Sequence, residues 1–133
     1  MKSYTDIEQS RKLAEFLPIE SADQTWARIA IAGANLDVSE VLQYRHNGDM
    51  PFKYYSGIGT PCWSLAALLN YLREIDFFPN IEADEHSVTM NINYYNEEEA
   101  RPLAPIHNIK VKAESFIDAC YEMIIKLHEL NLL

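Results

Sequence analysis

The stretch "GIGTPCWSLAALLNYL" at 57 to 72 holds the residues best suited to chemistry. Gly57 and Gly59 precede a thiol, Cys62, and a hydroxyl, Ser64, just ahead of a run at helical spacing. Glycines before a helix N-terminus can bring free backbone N–H groups close to an anion. The phosphate-loop pattern, however, needs a lysine after its last glycine, and Thr60 stands there instead. The default for Gly57 to Thr60 is a capped turn, with anion binding left open. A cysteine at a helix start can have a lowered pKa if exposed, but Cys62 needs a base and no histidine is near it in sequence. His46, His86, His107 and His128 are far apart along the chain. The nucleophile-elbow pattern G-x-S-x-G is absent, and "CWSLA" does not replace it. Cysteine is among the most buried residue types, so both Cys62 and Cys120 read as reduced core thiols.

Metal chemistry has one local cue, "EADEH" at 82 to 86, where Asp84 and His86 can both reach an ion from an extended segment. Metal sites usually show two or more close ligand pairs, and only one is present, so an exposed loop is the default. His128 has Glu122 and Glu129 nearby at no ligand spacing. Neither cysteine belongs to a C-x-x-C pair. The acids are too dispersed to suggest a carboxylate pair for glycoside hydrolysis. The residues therefore nominate no catalytic, cofactor-binding or metal site, and no cofactor is expected.

These residues must be held by the surrounding elements. "YTDIEQSRKLAEFLP" opens with a capping box between Thr5 and Glu8, then sets Ile7, Ala14 and Leu17 on one stripe with Leu13 beside it, ending before Pro18. Residues 19 to 56 are the hardest to read. "TWARIAIAG" suits a strand, "VSEVLQYR" fits a strand or helix, and "HNGDMP" is a turn before a short "FKYY" strand. A small antiparallel ribbon is expected there. Thr60 as N-cap and Pro61 as first helical residue open a second helix, with Leu65, Leu68, Leu69, Leu72 and Ile75 on its apolar flank.

"SVTMNINYY" alternates, sending Val88, Met90, Ile92 and Tyr94 to one face and Thr89, Asn91, Asn93 and Tyr95 to the other. "NEEEARPLAP" reads as a loop, and "IHNIKVKA" as the partner strand with Ile109 and Val111 inward. Ser115 and Asp118 cap a terminal helix whose stripe is Ile117, Cys120, Ile124 and Leu127. The expected fold is α+β: a small antiparallel sheet packed on one face by two main helices, plus a short N-terminal helix, in one domain over 1–133.

Composition narrows the function. The chain has 133 residues, 48% of them hydrophobic, and a formal net charge of -9. That excess of acid opposes binding to a phosphate backbone. The start lacks the apolar run of a signal peptide, and no stretch approaches the ~20 apolar residues of a membrane span. A cytoplasmic protein that binds neither nucleic acid nor membrane is expected. The tyrosines and Trp26 and Trp63 are of the kind enriched at protein interfaces.

Three blocks carry a resemblance: "YTDIEQSRKLAE" at the start, "PCWSLAALL" at 61 to 69 and "DACYEMIIKLHELNLL" at the end, with "SAD" at 21 to 23. Over about a third of the chain this resembles a group of small proteins of gut anaerobes, often encoded in prophage-like or other mobile regions. The group has no established activity, so the resemblance implies no catalytic residue. It implies an accessory protein of a mobile element. Together these readings favour a non-enzymatic protein acting through an unidentified protein partner or self-association. The alternative is a small hydrolase or ligand-binding enzyme, which needs Cys62 exposed beside a histidine, or His86 with two more ligands.

Overall fold

Asp6, rather than Thr5, starts the first helix. Its side chain accepts from the Gln9 N–H at 2.8 Å, and the Gln9 side chain accepts from the Asp6 N–H at 3.1 Å, a capping box one residue later than the sequence suggests. The computed structural model describes residues 2–30, 38–44, 59–95 and 106–133. Over these residues the order is α1 (Ile7–Ala14), a single 3-10 turn (Ile19–Ser21), β1 (Gln24–Ala30), β2 (Val38–Tyr44), β3 (Gly59–Cys62), α2 (Leu65–Glu74), β4 (Asn80–Ala83), β5 (Val88–Tyr95), β6 (Ile106–Ala113) and α3 (Phe116–Glu129). The α+β class, the antiparallel pairing and the short N-terminal helix are as expected from the sequence. The strands form two antiparallel sheets, β2-β1-β3 and β4-β5-β6. The chain groups into two compact units, Ser3–Leu68 and Leu69–Leu133 with the first two residues.

In the first unit, β1 is the central strand: β2 pairs along its whole length and β3 along Gln24 to Ala27. "VSEVLQY" is a strand, which resolves its ambiguous pattern, and Trp26 stands opposite Leu42. The expected turn at "HNGDMP" and strand at "FKYY" lie outside the described residues. Gln24 and Thr25 are adjacent yet both buried, so the start of β1 is covered on both faces. The buried face of α1 is Ser10, Leu13 and, just beyond its end, Leu17, while Ala14 is exposed. That corrects the stripe read from the sequence. The polar Ser10 points inward because Thr5 offers it a buried partner.

The main correction concerns Thr60 and Pro61. They do not open a helix; they lie in β3, opposite Trp26 and Thr25 of β1. Proline is tolerated there because β3 is an edge strand, where a missing N–H breaks no ladder. Ser64 caps the helix instead: its hydroxyl accepts from the Ala67 N–H at 3.1 Å.

In the second unit, β5 is central and alternates as expected, with Val88, Met90 and Ile92 buried. Tyr94 departs from that face pattern, half-exposed and stacked on the His107 ring opposite it. Ile109 and Val111 of β6 are buried. Helix α3 packs against β5 and β6 and buries Ile117, Cys120, Met123, Ile124 and Leu127. Its N-cap is Ser115, which accepts from the Asp118 N–H. Leu68, the last residue of the first unit, and Leu72 are the fully buried residues of α2.

Both long helices end alike. After α2, the Phe77 N–H reaches the Leu72 carbonyl at 2.8 Å and the Asp76 N–H reaches Arg73 at 3.1 Å. After α3, Leu132 reaches Leu127 at 2.9 Å and Asn131 reaches His128 at 3.0 Å. These are Schellman closures, which need a left-handed residue at the turn. Asp76 and Asn131 fill it, with φ of 64° and 56°. Glycine is usual there, and Asn and Asp tolerate it best among the rest.

Candidate functional site

Of the residues nominated from 57 to 72, Cys62 joins a buried polar cluster in the first unit, and Thr5 is its hub. The Thr5 hydroxyl lies 2.7 Å from the Ser10 hydroxyl and 3.5 Å from the Cys62 sulfur, and it accepts from the Trp63 N–H at 3.2 Å. The Thr5 carbonyl accepts from the Trp26 indole N–H at 3.1 Å and from the Cys62 thiol at 3.4 Å. Thr5 N–H donates to the Trp63 carbonyl at 2.9 Å. Strand β3 and the segment before α1 are thus stitched together through one residue. Sequence spacing assigns Thr5 to capping because Thr-x-x-Glu is a capping-box pattern; its cross-chain partners lie near residue 62 and leave no local signal.

Cys62 is fully buried. Burial pushes its pKa up from the ordinary thiol value; hydrogen bonds from Thr5 and Ser10 offset part of that, and the Asp23 charge adds to it. This is the opposite of an activated nucleophile, which needs a depressed pKa and an exposed sulfur. Among the described residues, the groups acting on the thiol are Thr5, Ser10, Asp23 and Trp26, none of them an imidazole.

Ser64 is equally committed. Its hydroxyl donates to one Asp23 carboxylate oxygen, its N–H donates to the other at 2.9 Å, and its Oγ accepts from Ala67. Asp23 therefore sits at the N-terminus of α2, the place an anion would take, and its charge suits the helix dipole there. The Leu65 N–H is also taken, by the Ser3 carbonyl at 3.0 Å. An anion at this helix start would meet a carboxylate and spoken-for N–H groups. Gly57 lies outside the described residues, and Gly59 belongs to β3.

The cluster does structural work, and Thr5→Val tests that. Valine keeps the shape but leaves the Trp63 N–H buried without its acceptor and takes the closer of two partners, at 2.7 Å, from the Ser10 hydroxyl, which keeps the Thr5 carbonyl at 3.5 Å. The expected loss is about 1–3 kcal/mol, read from urea denaturation. Thr5→Ser, which keeps the hydroxyl, should lose clearly less. Equal losses for the two variants would show that the hydroxyl contributes nothing.

The histidines and the acidic hairpin resolve as follows. Asp84 turns the β4–β5 hairpin: its Oδ1 accepts from the His86 and Ser87 N–H groups, both at 2.8 Å. Those bonds hold its carboxyl below the usual range. His86 is exposed, His107 stacks on Tyr94 with ring centroids 5.1 Å apart, and His128 lies exposed in the last turn of α3. His46 lies outside the described residues. Among the described residues, no group of three or more His, Cys, Asp or Glu is placed to hold a metal ion.

What sequence reasoning missed is an exposed apolar set in the second unit. Tyr95 and Ile106 are opposite each other at one end of β5 and β6, 64% and 58% exposed, and Phe78 before β4 is 68% exposed. The period-2 pattern marks Tyr95 as the outer face but cannot say that Ile106 leaves the core at the same end. No family model, curated protein or solved structure matches the chain.

Proposed function

We propose that this chain is a non-enzymatic accessory protein that acts by contact with another protein, in the cytoplasm. The observation that supports it most is the exposed Tyr95–Ile106 pair: a large aromatic and a large aliphatic side by side on a sheet end, the chemistry enriched at the centres of protein interfaces. The burial of Cys62 speaks against the thiol form of the hydrolase alternative, and among the described residues no two further ligands join His86 for its other form. The net charge of -9 speaks against a nucleic-acid partner. No helix among the described residues is long and apolar enough to cross a membrane. The accessory role in a mobile element rests on the sequence resemblance alone.

The test compares wild type with Ile106→Glu, whose exposed position should tolerate the charge without loss of fold. Affinity capture from the native host should enrich a partner on wild type and lose it by roughly 10-fold or more on the variant, as expected when a charge is forced into a desolvated contact. Sedimentation velocity in parallel distinguishes self-association. A stable contact should bury more than about 1,000 Å² in total. A wild-type protein that is strictly monomeric and captures the same proteins as Ile106→Glu would overturn the reading.

A further inference from the structure

A cleft of about 440 Å³ lies in the second unit, within the size range of small-molecule sites. It is formed where α2 and α3 both end. Ile75, Asp76 and Phe77 line it from the close of α2, and Asn131 and Leu132 from the close of α3. Tyr94 and Tyr95, the last residues of β5, complete the wall. The two left-handed cap residues therefore face one space, and each marks a helix C-terminus.

The charge of such a space follows from elementary electrostatics. Each helix C-terminus carries a partial negative charge, below the half charge of an uncapped end because the Schellman closures engage the Leu72, Arg73, Leu127 and His128 carbonyls. Two converge here, and the Asp76 carboxylate adds a full negative charge. The basic residues of the last turns, Arg73, Lys126 and His128, are exposed, and none of them lines the cleft. Apart from Asn131, the remaining lining is apolar or aromatic. The exposed Tyr95 ring can attract a cation through its face, while one face of Tyr94 is taken by His107; Ile75, Phe77 and Leu132 can cover a hydrocarbon body. The chain's net charge of -9 raises the local concentration of cations at its surface.

We propose that this cleft is a binding site for a small organic cation, an ammonium group on an apolar body. The site shares Tyr95 with the protein contact proposed above but not Ile106, so Ile106→Glu leaves it intact, and its test needs no partner. Neither sequence spacing nor composition reveals it, because its residues come from the ends of three elements.

The test uses the full-length protein and three probes of similar size at neutral pH: phenethylamine, which is an ammonium ion there, 2-phenylethanol, which is neutral, and 3-phenylpropionate, an anion. Amide chemical shifts of Asp76, Tyr95 and Asn131 report binding. Phenethylammonium should move them and bind about 10-fold tighter than the alcohol, with the carboxylate weakest. Asp76→Asn removes the charge while keeping a residue that tolerates the left-handed turn, and should weaken the ammonium by about 3- to 10-fold and leave the alcohol unchanged. Asp76→Gly serves as a second charge-free variant with the residue that the turn favours most. Equal affinity for the three probes, preference for the carboxylate, or no movement of these amides up to tens of millimolar ammonium (roughly the weakest binding worth calling a site) would overturn the proposal.

Discussion

Trp63→Ala is expected to destabilise the protein by about 3–5 kcal/mol, the range for truncating a large aromatic in a packed core. Trp63 has no exposed surface, and it is the bulkiest fully buried side chain. Its backbone bonds to Thr5 do not depend on the side chain and survive the change. What disappears is the indole volume and the bond from its N–H to the Ser21 hydroxyl at 2.9 Å. Trp63→Phe separates the two. Phenylalanine retains much of the ring volume but donates nothing to Ser21, and the Ser21 hydroxyl still has the Pro18 carbonyl as acceptor. Trp63→Phe should therefore lose about 1–2 kcal/mol, and most of the alanine effect is cavity. Urea denaturation followed by far-ultraviolet circular dichroism gives both values. An alanine variant within about 1 kcal/mol of wild type would mean that the site collapses around the gap, and that the segment from β3 to α2 is not the anchor described here.

Legibility in the sequence follows the range of the forces involved. Helix α3 can be read almost residue by residue, because its cap at Ser115 and its stripe from Ile117 to Leu127 are local and period-driven. Strand β5 is equally plain through Ile92, since one buried face and one open face force alternation. Short edge strands are not. Every residue of β4 is exposed, so "NIEA" carries no alternation, and it is a strand only because β5 offers a ladder. Strand β3 contains Gly59 and Pro61, which argue locally for a turn; its pairing with β1 decides otherwise.

The polar cluster shows the same limit in chemical terms. Residue types alone can flag Cys62 and Ser64 as reactive, but reactivity depends on what surrounds them. Thr5, Ser10 and Asp23 reach them from segments roughly forty or more residues away, and each bond formed removes a lone pair or proton that chemistry would need. Conversely, the cleft residues look unremarkable one by one. Asp76 and Asn131 become informative only through their positive φ and their shared position at helix ends.

The second large expected effect is alkaline. Cys120 is fully buried on the inner face of α3, and burial pushes its thiol from the ordinary 9.0 up to about 12. Well below pH 9, the ordinary thiol value, the thiol is protonated whether the chain is folded or not, so its full contribution is present. As pH rises further, the unfolded chain releases the proton while the folded chain retains it. Stability then falls with pH, and the loss is complete once the folded thiol itself ionises near 12. Across that window the loss attributable to Cys120 is of order 4 kcal/mol, at about 1.4 kcal/mol per pH unit. Cys62 and Tyr71 are also raised by burial and act in the same direction. Cys120→Ala should therefore make the decline of unfolding free energy between about pH 9 and 11 shallower without abolishing it. The variant starts from a lower stability at neutral pH, because a core atom is gone, so the comparison is of slopes rather than values. Urea titrations at closely spaced pH give those slopes. Parallel lines for wild type and Cys120→Ala would mean that the thiol meets water before the fold opens, contrary to its place in the stripe that seats α3 on β5 and β6.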